Sequence, residues 1–207
     1  MESQAHYCRL PRYRDNPAAV AGNVPPPGCV VAGIFSGTPL VSSDVIIRAA
    51  LPGELARVGD LRVTAYQADG HLSATSEYAA TLRGLGSSGD GQILVAVQDG
   101  RILGTVMLQR WPRAGQVVRG PDEAEIRALA VAPDGQRKGT GRALLDAVID
   151  LAAGQGVRHL VLCTKPDMRA AHHLYGQAGF SRLADRDWYP VPDEILLAYG
   201  LLLAARP

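Results

Sequence analysis

Between Ala130 and Leu145 the sequence reads A-V-A-P-D-G-Q-R-K-G-T-G-R-A-L-L, with three glycines and three cations packed into one loop. An apolar run stops at Pro133 ahead of it, and an amphipathic helical pattern opens directly behind it. Such a loop can hold an anion. The first N–H groups of a helix lack intrahelical acceptors, the helix dipole favours negative charge there, and glycine lets a phosphate come close to the backbone. Arg137, Lys138 and Arg142 read either as phosphate contacts or as a solvated helix start, and three cations around a glycine loop favour the first reading. Spacing removes two ligands. A P-loop needs a second glycine where Thr140 stands, and a dinucleotide fingerprint needs a third glycine where Leu144 stands. What remains is Q-x-x-G-x-G at Gln136, Gly139 and Gly141.

The elements that must position this loop follow from periodicity. Glu125 to Val131 reads as a strand ended by Pro133, which cannot donate to a ladder. The helix behind the loop carries Leu144, Leu145, Val148, Ile149, Leu151 and Ala152 on one stripe, and Gly154 and Gly156 stop it. Val157 to Cys163 is a buried-type strand, so strand, loop, helix and strand form a right-handed βαβ unit with parallel strands. Asp167 is the expected N-cap of a next helix, on which Met168, Ala171, His172, Tyr175 and Ala178 share a face until Gly179.

Upstream, Val45 to Arg48 is an expected strand. Pro52 opens a helix with Leu55, Val58 and Leu61, and a second helix spans roughly Ser73 to Leu85. Asp99-Gly100 between Gln92–Val97 and Ile102–Leu108 signals a hairpin. Arg110 to Asp122 reads as a polar loop holding Trp111. Ile195 to Leu203 is the last expected strand, with Trp188 and Tyr189 in a loop before it. Residues 1–43 hold six of the 14 prolines and no periodicity. They read as an irregular extension, in which Val30 to Phe35 is a possible strand, ahead of a domain over residues 44–207.

Composition narrows the function classes. At 207 residues and 47% hydrophobic content the chain can bury a good core, and a formal net charge of +1 gives no reason to expect nucleic acid or an anionic membrane as partner. Cys8, Cys29 and Cys163 lack metal-knuckle or disulfide spacing, so neither a metal nor a disulfide framework is expected, and a reducing cytoplasm fits best. No leader and no membrane anchor are expected.

The chain resembles the GNAT superfamily of acetyl-CoA-dependent N-acetyltransferases. The resemblance rests on E-I-R-A-L-A-V-A-P (Glu125 to Pro133), on the Q-x-x-G-x-G loop, and on A-x-x-x-Y-x-x-x-G-F at Ala171, Tyr175, Gly179 and Phe180, in that order, and it covers about residues 44–204. It implies an α/β fold: a mixed, mostly antiparallel central sheet with one parallel, splayed strand pair and helices on both faces. It further implies acetyl-CoA as cosubstrate and no metal. Gln136, Arg137, Lys138, Gly139, Thr140, Gly141 and Arg142 would hold its pyrophosphate, while Leu129, Ala130 and Val131 would bond pantetheine through their backbone.

Acetyl transfer to an amine needs a base, a donor for the oxyanion, and an acid for the thiolate. Tyr175, a phenol with an ordinary pKa near ~10, suits the last role, against the plainer reading of a packed tyrosine. Glu125 is the candidate base, directly or through a water, against a carboxylate paired with an arginine or solvated. Asp122 and Glu123 read as solvated. His172 and His173 read as one packed and one exposed, although His172 is within reach of the acetyl site, and Cys163 reads as a small apolar residue. Arg169 stands where the family often has asparagine. The acceptor would be a primary amine on a small molecule or peptide, Asp185, Asp187, Asp193 and Glu194 being available to attract it. Homodimers are common in that family. The other class of function left open is a catalytically silent acyl-CoA-binding module.

Overall fold

The computed structural model describes residues 45–115 and 117–204. The expected extension over residues 1–43, its Val30 to Phe35 strand, Cys8 and Cys29 lie outside them. The first strand, β1 (Ile46–Ala49), pairs antiparallel with β2 (Gln92–Gln98), and two helices, α1 (Leu55–Ala68) and α2 (Tyr78–Gly84), are inserted between them. Pro52 opens a short 3-10 turn leading into α1, where its missing N–H leaves no acceptor unsatisfied.

The second helix starts later than expected. Ser73 and Ser76 form turns instead, with the Ser76 carbonyl and hydroxyl accepting from the N–H groups of Ala79 and Tyr78. Serine side chains compete in this way for backbone groups a helix would need.

Asp99 and Gly100 both take positive φ (49° and 73°) and close the hairpin from β2 to β3 (Arg101–Arg110). The sheet continues through β4 (Glu123–Val131) and, across the helix α3 (Thr140–Gly154), to β5 (His159–Thr164). The helix α4 (Arg169–Gln177) is followed by β6 (Ser181–Arg182), β7 (Trp188–Val191) and β8 (Glu194–Leu202). Strand order is β1-β2-β3-β4-β5-β8-β6, with β7 paired to β8. Among the described residues, only the β4–β5 pair is parallel. This is the expected mixed, mostly antiparallel sheet, and the βαβ unit has the expected parallel strands.

Helices cover both faces. On one, α1 meets Ile93, Val95 and Met107 through Val58. On the other, α3 buries Leu144, Leu145, Val148 and Ala152 completely against Ala96, Val106, Leu108 and Ile126, and Tyr175 of α4 joins them. Each buried leucine or valine of that stripe stabilises by roughly 1.5–3 kcal/mol relative to exposure.

Three local readings need correction. α3 runs through Gly154 and ends before Gly156, whose φ of 75° only glycine adopts easily. Asp167 is not the N-cap of α4. Met168 holds that position without a side-chain capping bond, and the Asp167 carboxylate lies 3.5 Å from Nδ1 of His71. Trp188 and Tyr189 are in strand β7, whose pairing with β8 the proline-rich sequence concealed. No helix among the described residues is long and apolar enough to cross a membrane.

Candidate active site

The parallel pairing of β4 and β5 runs only from Glu123/His159 to Ile126/Leu162. Beyond it, β4 continues to Val131 and β5 to Thr164 without pairing to each other, so the two strands part. A bulge in β4 produces the divergence. Thr105 pairs with Ala130 but Met107 with Arg127, which leaves Ala128 and Leu129 opposite Val106 alone, and Ala128 takes φ of 49°. Leu129, Ala130 and Val131 therefore line a cleft on the β5 side.

At the end of that cleft the loop turns through Arg137 (φ 57°) and Gly139 (φ 82°) into the first turn of α3. Among the described residues, the N–H groups of Arg137 through Arg142 donate to no protein acceptor, and the first bond of the helix is from Ala143 to the Gly139 carbonyl. Two side chains shape the loop. The Thr140 hydroxyl donates to the Gly135 carbonyl at 2.9 Å, so it is engaged inside the loop. The Gln136 amide donates to Asp69 and to the Val131 carbonyl. Arg137 and Lys138 are exposed, while Arg142 pairs with Asp146 one turn on.

The next helix reaches the same place. A side chain at Gly141 would begin 3.7 Å from both Leu174 and Val131, so the loop, the end of β4 and α4 converge. Tyr175, beside Leu174, is buried against Phe180 with ring centroids 5.8 Å apart, and burial pushes its phenol up to about 12. His172 is half-buried, with Nε2 3.0 Å from the Lys165 carbonyl and its ring against Tyr199, whereas His173 is exposed. The histidine pair is thus one packed and one exposed, as expected.

On the opposite face of β4 lies Glu125. It is 7% exposed; its Oε2 accepts from the Gly115 N–H at 2.8 Å, and its Oε1 lies 3.8 Å from Nε of Arg127. A Cβ at residue 115 would stand 2.6 Å from Oε2, so the loop after β3 closes directly on the carboxylate. Burial raises the Glu125 pKa, and Arg127 and the Gly115 N–H only partly oppose it. Tyr78 and Cys163 also sense this charge. Burial raises the Tyr66 phenol of α1, and the phenols of Tyr78 and Tyr175 add to the shift.

Sequence reasoning missed several polar residues here. Arg62 is fully buried, and burial brings it down to about 10. Its Nη1 donates to the Leu82 and Leu85 carbonyls, capping the end of α2. Gln109 is 3% exposed, linking Asp90 to Arg127. Lys165, just after β5, forms a close ion pair with Glu194 at the start of β8. The amphipathic period of α1 placed Arg62 among neither core nor site, and a lone glutamine in a β-rich run carries no signal.

Glu123 corrects the solvated reading. Its carboxylate accepts from both Nη groups of Arg186 (2.8 and 2.9 Å) and from the Arg119 N–H (2.6 Å), with His159 Nδ1 at 2.9 Å. Burial raises its pKa, but these partners outweigh burial and bring it to about 2. Of the four candidate acceptor-attracting acids, Asp185 pairs with Arg119, Asp187 with Arg182 and Glu194 with Lys165. Among the described residues, no group of three His, Cys, Asp or Glu side chains is placed to hold a metal.

Three comparisons bear on this geometry. The family model described as "Acetyltransferase (GNAT) family" matches residues 57–180. The mycothiol acetyltransferase of Cellulomonas flavigena is 31% identical over 169 residues, 79% of this chain and 48% of that protein. The [ribosomal protein bS18]-alanine N-acetyltransferase of Escherichia coli is 42% identical over 73 residues, 35% of this chain and 49% of that one. The chain spans about half the length of the curated relatives it matches. Among solved structures, a putative acetyltransferase from Salmonella typhimurium with its cofactor acetyl-CoA superposes with a TM-score of 0.60 at 23% identity, covering 80% of this chain and 97% of that one. At that identity the likeness concerns the fold.

Proposed function

Because this chain belongs to the acetyltransferase (GNAT) family, we propose that it transfers acetyl from acetyl-CoA to a primary amine by direct attack in a ternary complex. The observation that carries the reading is the convergence at Gly141, where the unbonded N–H groups of residues 137–142, the unpaired stretch of β4 and the helix bearing Tyr175 meet. The loop would take the pyrophosphate on six successive N–H groups with Arg137 and Lys138 beside it, and Leu129 to Val131 would align the thioester chain. Residues 44–207 form the catalytic domain in this reading, with residues 1–43 an extension to it.

The amine nitrogen attacks the thioester carbonyl carbon, and its proton passes to Glu125, directly or through a water. A buried carboxylate with a raised pKa is a better base than a solvated one. The oxyanion is met by a backbone N–H of the unpaired β4 stretch. As the C–S bond breaks, Tyr175 donates its phenolic proton to the departing sulfur. A phenol at about 12 holds its proton at neutral pH, so it reaches the departing thiolate still protonated.

The acceptor is a small molecule or a peptide amine, in keeping with the two relatives named for mycothiol and for a protein alanine. A reducing compartment, the cytoplasm, suits the thiol of Cys163, which is free.

Thermal shift with CoA, acetyl-CoA and NADH, followed by thiol release with alanyl peptides and small amines, tests the proposal. CoA and acetyl-CoA at 100 times Kd should stabilise by about 2.7 kcal/mol and NADH should not. Tyr175→Phe should retain that shift and lose about 10²-fold or more of turnover. Absence of a CoA shift rejects the reading. A shift without acetylation of any amine favours the silent acyl-CoA-binding module.

A further inference from the structure

Four polar side chains form one line across the sheet: Asp90 before β2, Gln109 on β3, and Arg127 and Glu125 on β4. The Gln109 amide donates from Nε2 to Asp90 Oδ2 at 3.1 Å, and its Oε1 accepts from Arg127 Nη1 at 3.0 Å. Chemistry fixes which way this amide points. A carboxylate only accepts and a guanidinium only donates, so a single amide orientation satisfies both. The consequence falls on Glu125. Arg127, drawn toward Gln109, keeps its Nε 3.8 Å from Glu125 Oε1, too far for a hydrogen bond.

The other groups around the carboxylate do not set this distance. The loop after β3 donates the Gly115 N–H to the far oxygen, while Tyr78 of α2 and Cys163 of β5 feel the carboxylate's charge without a hydrogen bond to it. Lys165 and Glu194 act on Tyr78 with opposite signs and are paired with each other. From α1, Arg62 and Tyr66 act on Arg127, and Arg62 repels it. Among the described residues, Arg127 is the one cation that could close on Glu125. A bidentate pair at about 2.8 Å would lower a carboxyl pKa by roughly 1–3 units and weaken it as a base.

We propose that Gln109, oriented by Asp90, is a positioning residue that holds Arg127 off Glu125 and so keeps the carboxylate basic. The inference rests on Glu125 being the base of the proposed reaction, and its test is built to fail separately from that reading.

The full chain, carrying glutamate labelled with 13C at the δ carbon, is titrated by NMR, the Glu125 resonance being assigned as the one lost in Glu125→Gln. Gln109→Met fills the volume but cannot accept from Arg127. Its Glu125 midpoint should fall by about one unit or more below wild type. The double variant Asp90→Asn with Gln109→Glu exchanges the two polarities: the amide introduced at position 90 donates to the carboxylate introduced at position 109, and that carboxylate accepts from Arg127. It should restore the wild-type midpoint, which a role in packing alone would not require.

An unchanged midpoint in a folded Gln109→Met overturns the proposal. A lowered midpoint in the double variant also overturns it, including where Gln109→Met does not fold. Turnover is followed in parallel with acetyl-CoA and an alanyl peptide. If Glu125→Gln keeps full turnover, the base assignment fails while the titration result stands on its own.

Discussion

Glu123 and Glu125 stand two residues apart on one face of β4 and carry shifts of opposite sign. Glu123, brought to about 2 by its partners, stabilises the fold fully above the unfolded carboxyl value near ~4.3 and loses that contribution as pH falls toward 2. We expect Glu123→Gln to cost about 3 kcal/mol at pH 7 and almost nothing near pH 2, measured from urea midpoints across the acid range. Glu125 works the other way: its raised pKa favours the protonated form, so stability declines as pH rises through its titration. Glu125→Gln should flatten that decline, even though the same change removes the proposed base. The sequence could not separate the two. Arg186 and His159, which decide the state of Glu123, lie 63 and 36 residues away, whereas the residue types at 123 and 125 are identical.

Among the elements, those with long or self-contained patterns were legible. α3 repeats its apolar stripe over four turns, and Asp99-Gly100 dictates a hairpin by itself. The glycine loop between β4 and α3 was legible as a loop for the same reason, since its glycines and cations are contiguous. Short elements were not: α2 is seven residues, β6 is two, and β7 carries Pro190, so each exists only because a neighbour receives it. The α1–α2 crossing shows how tight that reception is. A Cβ at Gly59 would lie 2.7 Å from the Arg83 carbonyl oxygen and 2.9 Å from its Cα. Alanine normally favours a helix interior by about 1 kcal/mol over glycine, but here it must push α2 away. We therefore expect Gly59→Ala to destabilise by about 1–3 kcal/mol and, by moving Tyr66 and Tyr78, to raise the KM of the amine more than that of acetyl-CoA. Thermal melts and two-substrate kinetics check both parts.

At the scale of the whole molecule, β1 to β4 are joined to β5, β8 and β6 by the four parallel pairs from Glu123/His159 to Ile126/Leu162. With acetyl-CoA at 100 times Kd, amides of β5 and β8 that exchange by opening of this join should slow by about 100-fold, while amides of β1 and β2 change less. Hydrogen exchange followed by mass spectrometry reads the difference. The parting of β4 from β5 also sets what kind of molecule belongs there. The unpaired edge presents donors and acceptors at the repeat of a peptide strand, so it rewards a slender chain bearing amides at strand-like spacing and gives little to a flat or branched one. An inhibitor that competes with acetyl-CoA in the proposed reaction therefore need not contain a nucleotide: an extended diamide of the right pitch, acting as a ninth strand, would occupy the seam and leave the glycine loop untouched.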